Sequence, residues 1–133
     1  MRPTPFDPQT DLAPIPFSDA VCRTARALKE KGLAWRPYVG CFVWDEKEII
    51  PVSSPFPHRT YFILTLGHFL KHFTTIENMQ QDLIWLPTWH QACQLCRMRG
   101  IGSSEIAQRI RVKMEAEPGV DLVALYELLL ENL

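Results

Sequence analysis

The sequence holds no uninterrupted apolar run of about 18 residues, the length a helix needs to cross a bilayer, so no membrane partner is expected. Its opening, MRPTPFDPQTDLAPIP, carries prolines and aspartates where a secretion signal needs an apolar stretch, and a cytoplasmic location is the expectation. An excess of one charge is missing too. With a formal net charge of -1 there is no global pull toward nucleic acid or anionic lipid, so charge-driven recognition has to be local. GxGxxG, P-loop, HExxH and EF-hand patterns are absent, which leaves nucleotide, metalloprotease and calcium chemistry without support, and no cofactor is expected.

What is present is an ordinary globular composition, 47% apolar and 22% charged over 133 residues, enough for one contiguous core. Residues 1–17 form a proline-rich N-terminal arm, with Pro3, Pro5, Pro8, Pro14 and Pro16 fixing φ and removing donors, so an extended path is predicted. Phe6, Leu12, Ile15 and Phe17 give this arm apolar side chains to bury. Residues 18–133 read as a single α+β domain. Ser18 and Asp19 cap a helix reaching about Lys31, with Val21, Ala25 and Leu28 on its inner face and Gly32 as its stop.

YVGCFVW (38–44) is apolar on both alternating faces and reads as a covered strand; the polar DEKE turn and the EIIPV run after it predict a hairpin. TYFIL supplies a further strand. Residues 66–73 read as a helix, TTIE (Thr74, Glu77) and TWHQ (Thr88, Gln91) as capping boxes opening two more. LIWLP is either a helix end or a short strand stopped by Pro87. Ser103 or Ser104 starts a helix to about Ala116, and Pro118 with Gly119 precedes a last helix, VDLVALYELLLENL. The expected architecture is a small, mostly antiparallel sheet of three or four strands packed with five or six helices, the C-terminal half mainly helical.

Residues 60–96, TYFILTLGHFLKHFTTIENMQQDLIWLPTWHQACQLC, resemble a segment of small bacterial and prophage-associated proteins in which an aromatic strand, a short helix pair and a WLPTW-type junction follow one another. The resemblance covers about a quarter to a third of the chain and is one of pattern. It implies a mobile-element or host-interaction role and carries over no catalytic residue.

Four clusters bear on function. His90, Cys93 and Cys96 recur every third residue and are zinc-type donors, but Trp89 and Ala92 share their helical face, so core packing is the preferred reading and no metal is expected. Cys22, Cys41, Cys93 and Cys96 are read as reduced thiols. His68 and His72 lie one turn apart, opposite the apolar stripe of Leu66, Phe69, Leu70 and Phe73, and are exposed candidates for ligand contact. Ser53, Ser54, His58 and Arg59 near Asp45, Glu46 and Glu48 hold the ingredients of nucleophilic catalysis without a nucleophile-elbow pattern. Arg97, Arg99, Arg109, Arg111 and Lys113 flank a glycine-containing turn and could meet phosphates.

The leading expectation is a non-enzymatic interaction protein whose partner is another protein or a second copy of the chain. It rests on the arm and on the face formed by Leu122, Leu125, Tyr126, Leu129 and Leu133 of the last helix. The competing readings are a nucleic-acid or polyanion binder using the basic 97–113 segment, which is not favoured, and an enzyme whose site is unrecognised.

Overall fold

A computed structural model describes residues 6–7, 9–113 and 120–133, with only the backbone of 112 and 113. In chain order these form α1 (Asp19–Glu30), β1 (Phe42–Trp44), a 3-10 turn (Pro57–Arg59), β2 (Thr60–Phe62), α2 (Leu66–Phe73), α3 (Ile76–Asp82), β3 (Ile84–Leu86), α4 (Trp89–Met98), α5 (Ser103–Lys113) and α6 (Val120–Glu131). The class is α+β, with a three-stranded antiparallel sheet and a mainly helical C-terminal half. The first five residues and Pro8 of the arm, the predicted helix end at Ala116 and the Pro118–Gly119 break lie outside the described residues.

Local signals set the helix starts. The Ser18 hydroxyl accepts from the Val21 N–H at 3.3 Å to open α1. Thr88 and Gln91 exchange side-chain and backbone bonds of 3.2 and 2.9 Å, so α4 begins with the predicted capping box. The other box is displaced by one residue. Thr74 instead ends α2 at φ 72°, and Thr75 caps α3 by accepting from the Asn78 N–H at 3.1 Å, so Glu77 sits too early to close the box.

The sheet order is β2-β1-β3, with β1 antiparallel to both neighbours: Val43 faces Tyr61 on one side and Trp85 on the other. LIWLP therefore supplies a strand. The hairpin expected between 38–44 and EIIPV does not form, because the Asp45 carboxylate accepts the N–H groups of Ile49 and Ile50 at 3.0 and 2.8 Å. Those donors are lost to a sheet ladder, and β2 takes the place beside β1.

Side chains alternate across the sheet and feed two cores. Phe42, Trp44, Ile84 and Leu86 join one with α1, α4, α5 and α6, while Cys41, Val43, Tyr61, Ile63 and Trp85 join the other with α2 and α3. In the first core α6 packs among α1, α4 and α5. Leu122, Leu125, Tyr126 and Leu129 are at most 2% exposed, Leu133 packs partly against the same core, and the Tyr126 hydroxyl donates to the Pro87 carbonyl. That covers the face from which the sequence reading expected partner contact: a helix apolar on nearly every side is here a central helix.

The second core is smaller and is tied by polar contacts. Lys29 donates to the carbonyls of Gln81 and Leu83, linking α1 to the end of α3. Gln80 donates to the Trp35 carbonyl, and the indoles of Trp35 and Trp85 stack with centroids 6.3 Å apart. Burial, and secondarily the nearby Lys47 charge, push the Lys29 ammonium below its ordinary range.

Candidate functional site

The loop between β1 and β2 is shaped by a buried carboxylate. Asp45 is fully buried, and besides the Ile49 and Ile50 N–H groups it accepts from Arg59 Nη2 at 2.6 Å. The same nitrogen donates to the Ile50 carbonyl at 2.6 Å, and Arg59 Nε reaches the Asp45 carbonyl at 3.3 Å. The bond to Asp45 raises the guanidinium further above its already high range. His58 and Arg59 sit at φ 59° and 56°, a conformation costly for residues with side chains, and the ion pair holds Arg59 there. Tyr61 donates its hydroxyl to the Val52 carbonyl at 2.6 Å, and Ser54 bonds the Thr60 carbonyl. These anchors lay the loop along the outer edge of β2.

Between this loop, the β2 edge and α2 runs a groove of about 420 Å³. Val52, 65% accessible, and Leu64, 69%, expose apolar side chains along it, and Phe62, 37% accessible with its ring 4.9 Å from that of Phe42, borders it at the strand edge. Phe69, only 8% exposed, lies at its base. Lys71, which supplies a positive charge, and the exposed pair His68 and His72 line the rim, and no carboxylate does. β2 has β1 as its only sheet neighbour among the described residues, and Phe62 falls at a position that does not hydrogen-bond to β1, so its N–H and C=O face outward. Apolar surface beside a strand edge that its own loop covers only in part is a common setting for protein contact.

The chain matches no family model, no curated protein and no solved structure. The site is therefore read from its own geometry.

Of the sequence candidates, His68 and His72 fall on this groove. The basic set lies elsewhere and is partly engaged. Arg109 makes two bonds to the Glu131 carboxylate, 2.6 and 2.7 Å, which raise its guanidinium further, while Arg99 reaches the Asn132 carbonyl at 3.3 Å and Arg97 the Ser103 hydroxyl at 3.2 Å. Arg111 is exposed, and the Lys113 side chain lies outside the described residues. On α4, His90 is exposed whereas Cys96 is buried and Cys93 half-buried, so the three do not converge. Among the described residues no three His, Cys, Asp or Glu side chains cluster as metal ligands would. Burial pushes the Cys96 thiol up to about 11 and the Cys22 thiol up to about 12, which keeps both protonated and unreactive near neutrality.

The serine, histidine and carboxylate of the 45–59 region do not assemble as a triad. The Ser54 oxygen donates to Thr60 and accepts from the Phe56 N–H at 3.0 Å, Asp45 is taken up by Arg59 and two backbone donors, and His58 is exposed. Val52, Phe62 and Leu64 were missed by sequence reasoning. They belong to a loop and a strand edge, where no periodicity marks an apolar residue as outward-facing.

Proposed function

We propose that this chain is a non-enzymatic protein-interaction module whose contact surface is the groove along β2 and α2. The observation that carries this reading is the exposure of Val52, Phe62 and Leu64 around one concavity rimmed by Lys71, His68 and His72. Single exposed apolar residues are ordinary, whereas several converging on a groove are what a protein contact buries. The groove offers few placed donors and acceptors, no assembled nucleophile and base, and open walls, which suits an apolar side chain of a protein better than a reacting small molecule.

The test is site-specific photo-crosslinking in the producing cell. A photoreactive residue at Leu64 is expected to give a discrete protein adduct, and the same residue at Glu30, exposed on α1, is expected to give none. Equal, diffuse labelling from both positions would overturn the reading.

A further inference from the structure

The arm holds a feature that complements the groove. Gln9 and Thr10 lie in a turn closed by Asp7 and Asp11: the Asp11 N–H donates to the Asp7 carbonyl at 2.8 Å, and the Asp7 N–H donates to the Asp11 carboxylate at 2.9 Å. Asp7 Oδ1 accepts from the Gln9 N–H at 2.9 Å. Each of the two carboxylates thus spends one oxygen on the turn and has the other to offer to a cation. Directly after the turn comes Leu12, 95% exposed and the most accessible large apolar side chain among the described residues. A folded acidic turn that presents a bare leucine is a plug without a socket on its own arm.

The arm is anchored at its far end. Phe17, 1% exposed, and Ile15 fix that end to the helical core, and an open space of about 860 Å³ is lined by Asp11 and Ala13 of the arm together with Pro57 and His58 of the loop. The segment 12–17, extended, spans roughly 15–18 Å. The loop that carries Pro57 and His58 also supplies Val52 and Pro55 to the groove, so plug and socket flank one loop.

Resting on the interaction reading above, we infer that the partner is a second copy of this chain: the arm of each protomer seats Leu12 in the other's Val52–Leu64 groove, with Asp7 and Asp11 facing Lys71, His68 and His72. Charge matches on both sides, since the arm's turn carries Asp7 and Asp11 and the groove's rim carries Lys71 and no carboxylate. Because each copy carries both halves, mutual exchange closes as a two-fold dimer and leaves neither half to propagate a filament.

The experiment is sedimentation of the purified full chain up to about 0.5 mM, a range suited to a contact smaller than a standard interface. The wild type is expected to show a reversible monomer–dimer equilibrium. Leu12→Asp and Leu64→Asp should each weaken it at least tenfold, and Lys71→Glu should weaken it in a salt-dependent way while Lys31→Glu, an equal charge change on an exposed residue away from the groove, leaves it unchanged. Leu12, Leu64 and Lys71 are exposed, and unaltered thermal melts of the monomeric variants confirm that folding is retained. A wild-type chain that stays monomeric throughout overturns the inference, as does a dimer indifferent to Leu12→Asp. Either result, paired with a discrete adduct to a different protein from Leu64, leaves the interaction reading standing; with no adduct, both fail.

Discussion

The two faces of the sheet are covered by different means. On the Phe42–Leu86 side, α6 is surrounded by other helices and its leucines fill the space between them, so cohesion comes from buried apolar area. On the Val43–Trp85 side, the cover is two short helices and a loop, pinned by Asp45 with Arg59, by Lys29 at the end of α3 and by Tyr61 at Val52. The first arrangement seals its surface. The second fixes backbone positions while leaving space between them, which is how a groove survives beside a core. A face held by discrete anchors can keep apolar residues in solvent because its order does not depend on burying them.

That contrast can be broken in several ways. Leu125→Ala, in the centre of α6, is expected to cost about 4 kcal/mol in urea unfolding, since the deleted atoms leave a cavity that surrounding helices cannot collapse into. Asp45→Ala should cost about 3 kcal/mol by leaving Arg59 and two backbone donors without their acceptor, and Asp45→Asn should recover part of this. If Asp45→Ala proved neutral, the account of the second face as pinned by polar contacts would be wrong.

Alkaline pH probes the buried acids of both faces without mutation, since burial also raises Cys41 and Tyr61 of the second core. Cys22, Cys96 and Tyr126 all belong to the helical core, and burial raises Cys22 to about 12, Cys96 to about 11 and Tyr126 well above 10. A raised acid favours the folded state fully below its unfolded value, near 9 for the thiols, and this contribution is lost as pH climbs toward the folded values. Stability should therefore hold from neutrality to about pH 9 and fall beyond it, with Cys22 alone accounting for about 2 kcal/mol by pH ~10.5. Denaturant midpoints across that range check the slope. Thr88→Ala should cost about 1 kcal/mol through the lost cap of α4. Val52→Ser, finally, should change stability by less than about 0.5 kcal/mol, because Val52 is 65% exposed; a larger loss would show the groove wall to be part of the core.

How far the sequence foretold this depends on how local each signal is. Ser18 and the Thr88–Gln91 pair mark helix starts because capping is settled within four residues. Thr74 and Thr75 are indistinguishable until one adopts a positive φ, so that start was misplaced by one. Ile49 and Ile50 look like strand residues in isolation, and only the fully buried Asp45 diverts their N–H groups. In α6, all-round apolarity fits a partner face and a central helix alike, and the packing of α1, α4 and α5 around it decides between them. His68 and His72 were found as an exposed pair from helical spacing alone. The groove they rim was not legible, since its walls come from loop, strand and helix segments whose meeting depends on tertiary structure.

The place of β1 has a consequence in time. It is the first strand of the three along the chain and the middle one in space, so both of its edges are completed by later segments, Thr60–Phe62 and Ile84–Leu86. During synthesis the apolar run around Cys41 and Val43 has no sheet partner until those segments appear, and the helices that cover it, α2 and α3, are made between the two. Sheet formation thus waits on distant contacts, which slows folding relative to a hairpin and makes the unpaired middle strand the place where a growing chain is most open to wrong pairing.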